Sequence, residues 1–282
     1  MKYVHLTKPR SVSLLLLAAL AGMVMAASEL PSPALLVQTL LGGALAAGGA
    51  NALNCYLDRD LDWRMARTAM RPLAAGKMEP KHALLFGLGL CLLSILILAL
   101  WVNPLAALLA AAGIVYYVIV YTLWLKRISP LNVVVGGGAG ALPLLVGWAA
   151  VTGQLSAGAL WLGAVVVCWT PPHFWSLALL RRREYALVGI PMLPVVRGEV
   201  ETRRQILVYS VALLGLTLLL VPAGLAGPAF LGVALVLGSS LVFVALRLVY
   251  QASERAAWQL YRYSTVYLAL LFGSMSLDHM LR

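Results

Sequence analysis

The chain has 282 residues, 62% hydrophobic and only 11% charged, with a formal net charge of +11. A soluble domain of this size is about half apolar, so the composition excludes an ordinary soluble enzyme, and apolar runs of roughly 20 residues, enough to cross a bilayer as helix, recur along the whole length. The basic excess reports membrane topology before nucleic acid, and no polar segment is long enough for a separate soluble domain, so residues 1–282 are expected to form one all-α polytopic membrane domain.

The start, "MKYVHLTKPR" followed by "SVSLLLLAALAGMVMAA", has the order of a signal peptide: basic, then apolar, then small. Its apolar stretch is long for that and further spans follow, so a retained first helix is expected. Nine spans are predicted, at 11–29, 33–56, 83–101, 105–125, 131–151, 157–179, 205–225, 228–247 and 263–281. With the N-terminus cytoplasmic, every lysine and arginine except Arg282 lies on the inner side, which is the positive-inside pattern. The C-terminus is then outside. The outer connections are short ("ELPSP", "VNP", "TGQLS", "LAG"). Two inner loops, 57–82 and 180–204, are long and charged, and function concentrates in loops held by a rigid scaffold. No transit peptide is apparent, which favours a bacterial cytoplasmic membrane.

The first of these loops carries the clearest chemistry. Asn54, Asp58 and Asp62 are four apart, and on a continuous helix a step of four returns to within about 40° of the same face. Asp60 falls elsewhere and is expected to pair with a nearby arginine. Two carboxylates and an amide are hard oxygen ligands suited to Mg²⁺, which takes one or two protein carboxylates together with substrate phosphates. Arg64, Arg67 and Arg71 follow at once, and arginine grips phosphate with paired hydrogen bonds. The plain alternative is a solvated loop whose charges pair with one another. Charge set against an apolar span is costly without a task, so a Mg²⁺–diphosphate site is the expectation. A prenyl diphosphate fits the setting, with its tail among apolar helices and its head at the interface.

Gly136, Gly137, Gly138 and Gly140 open the fifth span, where small residues allow close helix packing; room for a bulky ligand is the alternative. Cys55, Cys91 and Cys168 sit in or beside apolar runs at no metal-ligand spacing and are expected as small core residues. The tryptophans suit an interfacial aromatic belt.

The asparagine–aspartate motif and the nine-span layout resemble the intramembrane aromatic prenyltransferase superfamily. Within it, the chain is most similar to the branch that farnesylates haem, through "LTKPR" at 6–10, "NALNCYLDRDLD" at 51–62, "RPLAAG" at 71–76, "YTLWLKR" at 121–127, "GGGAGALPLLVGWAAVTG" at 136–153, "WTPPHFWSLAL" at 169–179 and "GIPMLPVV" at 189–196. The resemblance covers nearly the whole chain. It implies transfer of farnesyl from farnesyl diphosphate to a vinyl group of haem B, with water completing the product haem O. It implies Asn54, Asp58 and Asp62 on Mg²⁺, with Asp58 and Asp62 catalytic, and Arg67, Arg71 and Lys126 on diphosphate. A haem A synthase or a terminal oxidase is the implied downstream partner.

Many superfamily members have a second aspartate pair after the sixth span. Here "RRREYALVGIPMLP" supplies only Glu184, with Val188 where a second carboxylate would stand. Glu184 is expected in the site, either on metal through water or orienting Arg182 or Arg183, with Tyr185 beside it. His173, within "TPPHFW", is either a buried histidine bonded to a neighbouring helix or a haem contact, since histidine is a common axial ligand. Trp169 and Trp175 are candidate linings of the acceptor pocket. Competing functions are prenylation of a quinone precursor and, from another class, transport of a cation or anionic metabolite. One-sided charge disfavours transport, which needs polar groups near the midplane.

Overall fold

In the computed structural model, which describes residues 2–27 and 29–281, every regular element among those residues is helical. Nine long helices follow in order: α1 (Pro9–Ala26), α2 (Pro33–Leu57), α3 (Pro80–Trp101), α4 (Pro104–Ile128), α5 (Asn132–Thr152), α6 (Ala157–Leu180), α7 (Gly198–Leu218), α8 (Pro228–Gln251) and α9 (Glu254–Leu281). Proline opens five of them, where its missing N–H costs nothing and its fixed φ suits the first turn. Ser32, Asn103 and Ser156 cap α2, α4 and α6 by accepting from backbone N–H groups of Leu35, Ala106 and Ala159. The start of α8 is capped from another helix: Asp278 on α9 accepts from the N–H groups of Gly227 at 2.6 Å and Phe230 at 3.2 Å. That use explains one acidic residue inside an apolar segment.

Seven of these helices, α1 to α6 and α8, are long and apolar enough to cross a membrane, so the chain is a multi-pass membrane protein. Of the two other predicted spans, 263–281 lies within α9, whereas 205–225 starts inside α7 but runs past its end at Leu218 into turns. Both helices begin well before the apolar stretch and carry charge there, Glu199, Glu201, Arg203 and Arg204 on α7 and Glu254, Arg255 and Arg262 on α9.

Packing follows two halves. Helices α2, α3, α4 and α5 contact in sequence, and α6, α7, α8 and α9 close a second bundle in which α6 also meets α9. Helix α1 sits between them, against α2, α5 and α9. Each long charged loop follows the first helix of its half. The largest core joins α1, α5 and α6 to the second bundle, through residues such as Leu144, Leu162, Phe230, Tyr267 and Phe272. A smaller one links α3, α4 and α5, and a third seats Leu6 against Ala52, Cys55, Leu73 and Ala83. All three cysteines are free, and Cys55 and Cys91 are buried, as expected of small core residues.

Three glycines of α5 lie close to side chains of neighbouring helices. A Cβ on Gly136 would lie 2.5 Å from the Tyr121 ring, one on Gly137 3.1 Å from Thr170, and one on Gly138 3.3 Å from the Tyr116 hydroxyl. Those tyrosines belong to a π-helical stretch of α4, Tyr116–Leu125. Nothing in the sequence marks that wider winding, which is common at functional sites.

Candidate active site at the charged loops

Helix α2 ends at Leu57, Asp58 takes a non-helical turn (φ −86, ψ 2), and Arg59–Asp62 forms one further helical turn. The helix is therefore interrupted rather than continuous. The four-residue step survives the interruption, because Asp58 N–H donates to the Asn54 carbonyl at 2.9 Å and Asp62 N–H to the Asp58 carbonyl at 2.8 Å. Asn54, Asp58 and Asp62 are all buried, at 4%, 1% and 4% exposure, whereas the Asp60 side chain is 54% exposed.

Each buried acid meets a cation from elsewhere in the chain. Lys126, at the end of α4, donates to Asp58 Oδ2 at 2.5 Å, and Arg71 donates to Asp62 Oδ2 at 2.6 Å. Asn54 Nδ2 donates to Asp58 Oδ2 at 2.8 Å and to Thr122 Oγ1 at 3.1 Å; its Oδ1 accepts from Lys8 at 2.6 Å. Thr122, wholly buried in the π-helical stretch, donates to the Tyr117 carbonyl five residues back. Asp58 Oδ1 is buried and has no hydrogen-bond partner among the described residues; Arg127 stands 3.9 Å away. Among the described residues, no cluster of three or more histidine, cysteine or acidic side chains forms a ready-made metal site. The available ligands are two carboxylates and one amide, with the orphaned Asp58 oxygen a strong acceptor lacking a donor. That hard-oxygen set fits Mg²⁺ sharing its shell with phosphate.

Asp60 pairs with an arginine, as expected, although the partner comes from another helix. Arg127 forks onto both carboxylate oxygens at 2.8 and 2.9 Å, and this contact holds the carboxyl below the usual carboxylate range. The same guanidinium donates to the Leu57 carbonyl. An exposed pair is worth about 0.2–1 kcal/mol. Asp60→Ala should therefore lower turnover by no more than about threefold, a rate change equivalent to under 1 kcal/mol. Steady-state assay beside Asp58→Ala checks this; equal loss in both would break the division of the loop into a buried and a solvent face.

The second loop closes on the first. Arg64 donates to the Leu187 carbonyl at 2.8 Å, and the exposed Arg67 acts electrostatically on Tyr185, which is buried and whose phenol is pushed up by that burial. Glu184 pairs with Arg181 at 2.9 Å, not with Arg182 or Arg183; Arg182 instead meets Glu199 at 2.7 Å. The other oxygen of Glu184, Oε2, is buried and has no hydrogen-bond partner among the described residues.

His173 lies farther along α6, carried through Pro171 and Pro172 without loss of helix. Its Nδ1 is 2.9 Å from Ser264 Oγ on α9, and no hydrogen bond to Nε2 is made among the described residues. Trp169 stacks on it at 4.5 Å and donates to the Ser264 carbonyl; Tyr261 stacks at 4.8 Å. Trp175 does not join this group. It is 1% exposed and packs edge-on to Tyr209 of α7. Two residues of helix turn it by about 200° from His173. An apolar groove of about 480 Å³ lies between α4, α5 and α6, lined by Ala112, Tyr116, Gly138, Leu142 and Gly163 among others.

Sequence reasoning missed Lys8, Thr122 and Arg127 as parts of this site. Lys8 and Arg127 read as topology charges, and Thr122 carries no signal of its own in the sequence. Only the bonds across helices reveal them.

Residues 15–271 match the UbiA prenyltransferase family. Proteins named protoheme IX farnesyltransferase are similar over nearly the whole chain. The one from Roseiflexus sp. (strain RS-1) is 50% identical over 98% of this chain and 52% of its own length. That from Trichodesmium erythraeum (strain IMS101) is 50% identical over 98% and 85%, and that from Symbiobacterium thermophilum 49% identical over 98% and 93%. The chain thus spans about half the length of the Roseiflexus relative. In fold it is similar to a solved digeranylgeranylglyceryl phosphate synthase, with TM-score 0.82, 14% identity and coverage of 100% and 98% of the two chains. It is also similar to a UbiA homolog from Archaeoglobus fulgidus bound to DMAPP and Mg²⁺, with TM-score 0.71, 17% identity and coverage of 98% and 99%.

Proposed function

The chain belongs to the UbiA prenyltransferase family, and on that premise we propose that it transfers the farnesyl group of farnesyl diphosphate to a vinyl group of haem B. The observation that carries the reading is the buried Asn54–Asp58–Asp62 face, ringed by Arg71 and Lys126 at the end of apolar helices. Names at about 50% identity support haem as acceptor.

Asn54, Asp58 and Asp62 would hold Mg²⁺, which when bound offsets negative charge on the departing diphosphate. Arg67, Arg71 and Lys126 supply donors to the same leaving group, strengthened by the low dielectric of a largely buried site. The pairs with Asp62 and Asp58 hold Arg71 and Lys126 in position before substrate arrives. Glu184 and Tyr185 complete the wall from the second loop, which Arg64 holds against the first. The farnesyl chain lies along the apolar groove beside Tyr116 and Gly138. Loss of diphosphate leaves an allylic cation, which the vinyl π bond attacks to form the new C–C bond. Water adds to the resulting cation at the haem side and its extra proton leaves to solvent, giving a hydroxyethylfarnesyl haem. Apolar helices keep water from the first cation until the C–C bond has formed. On the acceptor side, His173 Nε2 is directed to the haem iron and Trp169 to the macrocycle, while Trp175 serves the core.

The proposal includes nine crossings, with α7 and α9 spanning through their apolar parts, the N-terminus and both charged loops cytoplasmic, and the C-terminus outside. The setting is a bacterial cytoplasmic membrane. Haem O so formed passes to a haem A synthase or a terminal oxidase.

Purified protein incubated with haem B, farnesyl diphosphate and Mg²⁺ should yield a product heavier than haem B by farnesyl plus hydroxyl, read by mass spectrometry. Chelation of Mg²⁺ should stop its formation. Product with a quinone precursor and none with haem B would overturn the acceptor.

A further inference from the structure

We propose that Lys8 is a further diphosphate-binding residue of this site, set in place by the short N-terminal helix Lys2–Thr7 acting as a fixed arm. The inference rests on the prenyl-transfer reading and adds a group from outside both charged loops. Its first ground is backbone strain. Lys8 has φ 51 and ψ 65, left-handed values that a side chain with a Cβ disfavours. Such strain persists where the surroundings fix it, and it concentrates at functional sites.

The surroundings do fix it. Leu6 is fully buried among Ala52, Cys55, Leu73 and Ala83. The Thr7 carbonyl accepts from Asn51 Nδ2 at 3.0 Å, and Lys2 donates to the Lys77 carbonyl at 2.9 Å. Pro9 opens α1 immediately afterwards. The bend between arm and helix directs the Lys8 side chain onto Asn54, with Nζ 2.6 Å from Oδ1.

The second ground is charge. Lys126 is matched by Asp58 and Arg71 by Asp62, but among the described residues the Lys8 ammonium hydrogen-bonds only to a neutral amide oxygen. The three ammonium and guanidinium groups facing the two buried carboxylates leave one positive charge over, which an anionic ligand would offset. An ammonium binds phosphate as a point charge, and Lys8 stands beside the face on which the diphosphate is proposed to sit.

The rival role is structural: Lys8 would only orient the Asn54 amide or hold the arm. Three substitutions in the full-length protein separate the two. Glycine adopts φ 51 freely, so Lys8→Gly removes the ammonium while relieving the backbone. Lys8→Met keeps the stem, and Lys8→Arg keeps the charge. Calorimetric titration with inorganic diphosphate and Mg²⁺ should show affinity at least tenfold weaker in Lys8→Met and Lys8→Gly, with Lys8→Arg recovering most of it. KM for farnesyl diphosphate should rise in step, haem B binding followed by absorbance should be unchanged, and the thermal midpoint should hold for methionine and rise for glycine. Wild-type diphosphate affinity in folded Lys8→Met or Lys8→Gly, whether or not kcat falls, would overturn this role and leave the prenyl-transfer reading standing. Failure of the unmodified protein to bind diphosphate would overturn both.

Discussion

Asp58→Ala is expected to lower turnover by about a thousandfold or more, because the acid both ligates the proposed metal and positions a donor for the leaving group, each worth several kcal/mol of transition-state stabilisation. Asp58 is 1% exposed, accepts from Lys126 and Asn54 through Oδ2, and keeps Oδ1 free of hydrogen bonds. Removing the carboxylate leaves the Lys126 ammonium at 17% side-chain exposure without its counter-charge. Breaking a buried pair from one side costs about 3–5 kcal/mol, less where water reaches one partner. Some activity loss in the alanine variant could thus reflect lost folding. Asp58→Asn, nearly isosteric, and the double variant Asp58→Asn with Lys126→Met, which removes the stranded charge, separate the two effects. Both should fold, by thermal midpoint in detergent, and neither should turn over. Asp62→Ala should behave like Asp58→Ala, since Asp62 is 4% exposed and bonded to Arg71. Turnover near wild type in folded Asp58→Asn would sink the assignment of this face.

Gly147→Ala should be the most damaging small substitution away from the site. A Cβ there would lie 1.9 Å from the Ala19 carbonyl oxygen of α1, and one at Gly22 would lie 2.2 Å from the Leu144 carbonyl oxygen of α5. The two helices therefore meet backbone to backbone through reciprocal glycines, the small-residue contact that lets membrane helices approach closely. The obstructing atoms are main-chain carbonyls, which cannot rotate aside as a side chain can. The helices must separate along their length, and overpacking of this kind costs about 3 kcal/mol or more. Helix α1 also carries Lys8 at its start, so separation would move that ammonium from Asn54. Thermal midpoints followed by tryptophan fluorescence should fall sharply for Gly147→Ala and Gly22→Ala. They should stay level for Gly215→Ala, where a Cβ meets nothing within 4 Å. Equal midpoints for Gly147→Ala and Gly215→Ala would refute the close crossing.

The apolar helices and the two charged loops were legible because hydropathy and charge are properties of consecutive residues. So was the Asn54–Asp58–Asp62 face, since a helical step of four is local and survives even the break at Asp58. Asp60 followed by elimination as an off-face acid, but its partner did not: Arg127 is 67 positions away. Glu184 shows the same limit. Its place in the second loop was readable, yet its pairing with Arg181 rather than Arg182 or Arg183 depends on how a one-turn helix meets the end of α6.

The sequence by itself determined the class of protein and where its apolar helices fall, because the bilayer imposes length and polarity on each segment separately. Only the tertiary structure decided what the charges do. Lys8 on Asn54, Lys126 on Asp58, Arg64 on the second loop and Trp175 in the core rather than beside His173 are all set by which helices touch and how they are rotated. The physical reason is that lipid solvates every apolar helix face about equally, so helix order and rotation in the bundle are fixed by close packing, such as the Gly22–Gly147 crossing, and by interhelical polar bonds.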